Sequence, residues 1–177
     1  MEIRIGKFLI ETERGDIANQ QDMDAVVNAA NAALTTGGGV AGALHTAAGP
    51  GLYKECKPLA PIKPGEAVIT GGHNLPNKFV IHCLGPVYGR DEPAADFLEN
   101  CYKRALELAE ENKIRSVAFP AISTGIFGYP LKEAAQIAVE TVLNAIPAFK
   151  HLQKIKFVLF SEEDLRVYNE MLSEIKK

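Results

Sequence analysis

The stretch Asn28-Ala29-Ala30-Asn31, followed by Thr35-Thr36-Gly37-Gly38-Gly39-Val40-Ala41-Gly42, is the first place where this chain could do chemistry. It leaves a short apolar run, crosses a loop of small residues and enters a segment able to start a helix. A glycine loop feeding a helix N-terminus offers several free backbone N–H groups and the positive end of the helix dipole. That suits an anion, phosphate above all, and it requires no lysine or arginine. The alternative is a loop that needs glycine only for its turns. Six of the 15 glycines (Gly37, Gly38, Gly39, Gly42, Gly49, Gly51) crowd between positions 37 and 51. Such a cluster is either a flexible spacer or a backbone that must come very close to something.

Two phosphate motifs can be tested here. A P-loop ends in Gly-Lys-Ser/Thr, and this loop has no lysine. The letters Gly37-x-Gly39-x-x-Gly42 match the dinucleotide fingerprint, but that fingerprint follows its strand directly, whereas Asn28 to Thr36 intervene here. No acidic residue closes a second strand about 20 residues later.

Three further segments join the first. Pro120-Ala-Ile-Ser123-Thr124-Gly125-Ile126-Phe127-Gly128-Tyr129-Pro130 again uses small residues to free backbone donors, and a second phosphate loop facing the first would make a cleft for a diphosphate. Its plainer reading is a connection with Phe127 packed inward. Gly15-Asp16-Ile17 carries a carboxylate that either caps a turn or accepts from an exocyclic amine. Phe160, before Ser161, is either core or a platform for a base. His45, one helical turn beyond the glycine loop, either faces the site or packs.

The elements that must position these residues alternate. Residues 3–11, 25–29, 66–71, 79–84, 115–120 and 156–160 read as strands. The run at 25–29 lacks alternation, which suits burial on both faces. Residues 40–48 read as a small-residue helix, with Gly49 and Gly51 ending it around Pro50. Phe97, Cys101, Ala105 and Leu108 form an apolar stripe on a helix over 94–112. Leu131, Ala135, Ala138, Val142 and Ile146 mark another helix from 131 to about 146, and Leu165, Tyr168, Leu172 and Ile175 a last one. Such alternation means an α/β layered domain with a mostly parallel sheet. Its ligands bind beyond the carboxyl ends of the central strands, just after residues 29, 84, 120 and 160.

Composition excludes other classes. At 177 residues the chain suits one domain and buries close to about 70% of its unfolded surface without metal or disulfide. A net charge of −3 argues against a general electrostatic grip on nucleic acid. Apolar runs are too short to span a membrane, and the N-terminus lacks a signal-peptide core. Cys56, Cys83 and Cys101 are widely spaced and read as free thiols in a reducing, cytoplasmic setting. The four scattered histidines argue against zinc.

Taken in order, Gly15-Asp16-Ile17, Val27-Asn28-Ala29-Ala30-Asn31, Gly37-Gly38-Gly39-Val40, Ala48-Gly49-Pro50 and Ser123-Thr124-Gly125-Ile126-Phe127-Gly128 resemble the macrodomain family, the ADP-ribose-binding three-layer α/β/α fold. Gly72-His73-Asn74-Leu75 and His82-Cys83-Leu84-Gly85-Pro86 also look like the family's middle strands. The resemblance covers essentially the whole chain and implies a single macrodomain over 1–177, with a central mixed, mostly parallel sheet.

The resemblance also implies roles. Asp16 would accept from the adenine amino group, with Ile17 giving a backbone contact and Phe160 stacking on the base. Gly38, Gly39, Val40 and the neighbouring loop amides of Gly37 and Ala41 would line one side of the diphosphate, and Asn28 is a further expected ligand-binding residue. Ser123, Thr124, Gly125, Ile126 and Phe127 would line the other. Asn31 would hydrogen-bond the distal ribose, against which Phe127 packs. Asn31, Gly38, Gly39 and Phe127 are the expected catalytic set. The implied activity is hydrolysis of mono-ADP-ribosyl esters on protein Asp or Glu and of O-acetyl-ADP-ribose, by substrate-assisted attack of a positioned water, with no cofactor or metal. The alternative is a non-catalytic reader of ADP-ribosylated proteins. Expected partners are ADP-ribose and such proteins, neither membrane nor nucleic acid, with the chain a monomer. One position departs from the pattern. MacroD-type hydrolases usually carry an Asp directly after Gly-Gly-Gly-Gly-Val; here Thr36 precedes three glycines and Ala41 stands in the Asp position. The loop looks more like that of viral macrodomains, which resemble active hydrolases without that Asp.

Overall fold

A computed structural model of the protein describes residues 1–175. Its centre is a seven-stranded sheet formed by β1 (Glu2–Ile5), β2 (Phe8–Arg14), β3 (Ala25–Ala29), β4 (Ala67–Gly71), β5 (Phe79–Cys83), β6 (Ser116–Phe119) and β7 (Lys154–Leu159), in the order β1-β2-β7-β6-β3-β5-β4. The run β2, β7, β6, β3, β5 is parallel throughout, and antiparallel β1 and β4 close the two edges. The expected α/β class and mixed, mostly parallel sheet are therefore present.

Helices cover both faces, as crossover connections between parallel strands demand. On one face, α3 (Ala94–Glu111), α4 (Leu131–Ala145) and α5 (Glu162–Ser173) bury residues such as Leu98, Tyr102, Val142 and Tyr168 against Ile81, Val117, Phe119 and Phe157. On the other, α1 (Gly39–Ala48) and α2 (Pro50–Cys56) bury Leu44, Leu52 and Cys56 against Val26, Val80 and Ala118. Strand β3 separates the two layers: Ala25 and Val27 face the first, Val26 the second. Its uninterrupted apolar run is the sign of that double burial.

Three sequence expectations change. The single strand over 3–11 is a hairpin: Ile5 pairs with Phe8, and Gly6 turns the chain at φ 60. Glycine in the first central position is the residue a two-residue II′ turn requires. Gly51 does not end a helix. Gly49, at φ 78, ends α1, and Pro50 opens α2 with Gly51 inside its first turn. A Cβ on Gly51 would lie 2.7 Å from His73 Nδ1, so glycine there serves close packing. On α3 the buried stripe is shifted by one position at its start: Leu98 and Tyr102 are buried, while Phe97 is half-buried.

Candidate functional site

Parallel strands send all their carboxyl ends to the same edge of the sheet. Five connections therefore meet there: Gly15–Ile17 after β2, Phe160–Ser161 after β7, Pro120–Pro130 after β6, Ala30–Gly38 after β3 and Leu84–Gly89 after β5. Backbone hydrogen bonds tie them together. Gly15 N–H donates to Leu159 O at 3.1 Å, Ala30 N–H to Cys83 O at 2.8 Å, and Tyr88 N–H to Phe127 O at 2.8 Å. Ile17, Ala30, Leu34, Val40 and Phe127 belong to one apolar cluster beneath this edge. The structure thus brings every residue expected at the site to one end of the molecule.

The glycine lip is held by Asn31 and Leu34. Asn31 Oδ1 accepts from Thr35 N–H at 3.0 Å and Thr35 Oγ1 at 3.3 Å, and its Nδ2 donates to Thr35 O at 3.1 Å. Leu34 takes the left-handed conformation, φ 55, with its side chain fully buried. Burial of that side chain offsets the cost of a non-glycine residue there. The chain then reaches α1 through Gly38, whose position carries no side-chain cap, and no acidic residue enters the first turn. The N–H groups of Gly39, Val40 and Ala41 make no well-formed hydrogen bond among the described residues. Gly42 lets α1 sit against the loop, since a Cβ there would overlap Gly37 O.

The opposing lip follows β6. Ser123 is left-handed at φ 67, Gly128 at φ 72, and Tyr129 N–H donates back to Ser123 O at 2.9 Å. No backbone N–H from Ser123 to Phe127 has a well-formed partner among the described residues. Ser123 Oγ is buried and unpaired. Gly85 presses so closely on it that a Cβ would overlap the hydroxyl. Ile126 is 95% exposed at the tip, and Phe127 is half-buried. Neither loop contains a lysine or arginine, so any anion between them would be met by amide dipoles.

At the far end of the same edge, Asp16 is exposed, with Oδ1 accepting from Ala18 N–H at 2.9 Å. Its Oδ2 and the Ile17 N–H have no partner among the described residues. The turn-capping reading of Asp16 therefore holds, and it leaves the second carboxylate oxygen free. Phe160 is 89% exposed, directly after β7 and before Ser161, which caps α5 by accepting from Asp164 N–H at 3.1 Å. An uncovered phenyl ring is not core.

Two residues lie buried beneath this edge. Asn28 is fully buried, its Nδ2 3.0 Å from His82 Nδ1 and its Oδ1 unpaired. Thr70 Oγ1 donates to Gly71 O, so it accepts from His82 Nε2 at 2.9 Å. Those partners fix the Nε2–H tautomer, with Nδ1 accepting from Asn28. Burial, with nearby His45, pushes the His82 pKa down to about 3. His45 is also buried, its ring centroid 6.5 Å from that of His82, and burial lowers its pKa too. It packs into the α1–α2 layer. Ala41 is buried.

Comparison with known proteins decides the family. A model described as "Macro domain" matches residues 27–138. The chain belongs to the Macro domain family. A macro domain-containing protein of Chlorobaculum tepidum is 46% identical over 166 residues, covering 93% of this chain and 96% of the relative. A Klebsiella pneumoniae protein named O-acetyl-ADP-ribose deacetylase is 47% identical over 164 residues, covering 90% and 93%. Among solved structures, the Oceanobacillus iheyensis macrodomain with ADP superposes with a TM-score of 0.93 at 40% identity, covering 98% of this chain and 94% of that one. The Trypanosoma brucei macrodomain in complex with ADP-ribose gives 0.86 at 38% identity, covering 92% and 68%.

Residues that the sequence reading did not single out complete this Macro domain's edge. Tyr88 ties the β5 and β6 connections, and Thr35 is the partner of Asn31. Gln20 donates from Nε2 to Asp16 O at 2.8 Å. None has a motif of its own; each acts through a contact only the fold creates. Among the described residues, no group of three His, Cys, Asp or Glu could hold a metal, and no helix is long and apolar enough to cross a membrane.

Proposed function

We propose that the cleft binds ADP-ribose and hydrolyses its esters, both O-acetyl-ADP-ribose and mono-ADP-ribose linked to protein Asp or Glu. The observation that carries this reading is the pair of facing loops with unpartnered N–H groups, Gly39–Ala41 and Ser123–Phe127, between a free carboxylate oxygen on Asp16 and the half-buried ring of Phe127. A diphosphate fits amide donors on two sides, and no lysine is needed to hold it. Adenine lies between Asp16 and Phe160, and the distal ribose between Asn31 and Phe127. Relatives named O-acetyl-ADP-ribose deacetylase support the choice of an ester.

The chemistry is positional. A water held between the diphosphate, the glycine loop and the second Nδ2 hydrogen of Asn31 is oriented by a phosphate oxygen, which takes its proton. In a carboxyl-linked substrate the water attacks C1 of the distal ribose, the C1–O bond breaks, and the carboxylate leaves. In an acetyl ester on a ribose hydroxyl the same water adds to the carbonyl carbon, the bond from that carbon to the ribose oxygen breaks, and acetate leaves while the ribose oxygen takes the proton held by the phosphate. The loop amides stabilise the charge that develops.

Ala41 favours a second reading, a non-catalytic reader, because no side chain at that position can act as a base. The purified protein incubated with an auto-ADP-ribosylated protein separates the two. Release of the label supports hydrolysis; a label retained for hours beside tight ADP-ribose binding in calorimetry supports the reader.

A further inference from the structure

Lys156 lies in β7 on the α1–α2 side, yet no helix covers it; the connection from β2 to β3 does, and the residue is only 4% exposed. Burying an ammonium is costly unless its donors are met. Lys156 Nζ donates to Asp22 Oδ2 at 2.9 Å, to Asp22 Oδ1 at 3.0 Å and to Gln20 Oε1 at 3.1 Å, with Glu13 Oε1 at 3.7 Å. An ammonium has donors only, so it must face the oxygen of the Gln20 amide. That fixes which way the amide points. Nε2 is left facing Asp16 O, to which it donates at 2.8 Å, while Asn19 N–H donates to the same oxygen at 3.0 Å. Asn77 Nδ2 anchors the segment from beneath, at 2.7 Å from both Gln20 O and Met23 O.

A continuous polar chain therefore runs from the sheet to the turn that carries Asp16 Oδ2 and the Ile17 N–H. We propose that Lys156 is a positioning residue for base recognition: it orients Gln20, Gln20 holds the Asp16 carbonyl, and the held turn selects a purine with a 6-amino group over one with a 6-oxo group. This rests on the proposed contact of Asp16 with adenine. A loose turn still meets a base through Phe160 stacking, but it no longer distinguishes donor from acceptor at position 6.

The test is calorimetry on the full chain with ADP-ribose and with its hypoxanthine counterpart, IDP-ribose. The wild type is expected to prefer ADP-ribose by about tenfold or more, since a site built to hydrogen-bond one group rejects the analogue lacking it. Lys156→Met and Gln20→Glu are each expected to reduce that preference to about threefold or less while changing IDP-ribose affinity by less than about twofold. Gln20→Glu retains the size and the pairing with Lys156 but has no donor for Asp16 O, so it tests the relay even if Lys156→Met does not fold. A wild-type preference that survives in Gln20→Glu overturns the relay and leaves the Asp16 contact standing. Equal wild-type affinity for the two ligands removes the Asp16 contact and the relay together.

Discussion

Asn31 and Thr35 hold each other through three hydrogen bonds, two into Asn31 Oδ1 and one from its Nδ2, so the side chain expected to meet the distal ribose also closes the loop that carries the glycines. One Nδ2 hydrogen remains. A Cβ on Gly37 would come within 3.3 Å of that nitrogen, so a side chain there would press on the Asn31 amide.

Asn31→Ala removes both functions at a half-exposed position. Stability should fall by about 1–2 kcal/mol, because the three part-buried hydrogen bonds lie at the low end of the usual range, about 0.5 kcal/mol each. For a chain of this size that is a melt lower by several degrees at most. Ester turnover should fall at least ~10²-fold, the scale of losing one positioned donor. Differential scanning fluorimetry beside a turnover assay checks both. Equal collapse of folding and activity would assign Asn31 to structure alone.

The fold was largely legible because its signals are local. The doubly buried run of β3 and the apolar spacings of α4 and α5 each need only a few neighbouring residues to be recognised. What stayed hidden were decisions made by tertiary contacts. The hairpin at Gly6 sits inside continuous strand-like sequence, and Phe97 competes with Leu98 for one position of a helical stripe until the sheet is present. The site motifs were legible for the same reason as β3: Gly37–Gly39 and Ser123–Gly128 are contiguous. Thr35, Gln20 and Lys156 were not, because a lysine in a strand looks solvent-facing until Asp22 and Gln20 fold over it.

Gly42→Ala tests the close approach of α1 to its loop. The added methyl overlaps Gly37 O, and overpacking of this kind costs about 1–3 kcal/mol. Because the loop can yield more easily than the helix, ADP-ribose affinity should drop together with the melting temperature. Unchanged binding would show that the loop does not touch the ligand.

Asp16→Ala should weaken ADP-ribose binding by ~1–3 kcal/mol, about the scale of a hydrogen bond to a charged group. Calorimetry reads this directly. An unchanged dissociation constant would take Asp16 out of the base contact.

Acid should destabilise the protein through its buried histidines. Burial, and secondarily His45, holds the His82 pKa near about 3, against an unfolded value of 6.5. The depressed pKa means that the unfolded chain takes up a proton that the folded one refuses. Stability is thus full above pH 6.5 and is lost progressively as pH falls toward about 3. At pH 5 the loss from this residue alone is about 2 kcal/mol, or roughly 4–8 °C in melting temperature. Melting curves from pH 7 to 5 should show that fall, and His82→Gln should flatten it. An identical slope in the variant would move the effect to other groups.

The most direct measurement is the fate of O-acetyl-ADP-ribose incubated with catalytic amounts of the protein and followed by chromatography. Free ADP-ribose and acetate should accumulate over many turnovers and vanish with Asn31→Ala. Substrate recovered intact, from a protein that calorimetry shows to bind ADP-ribose, would contradict hydrolysis by an amide-lined cleft with alanine at position 41.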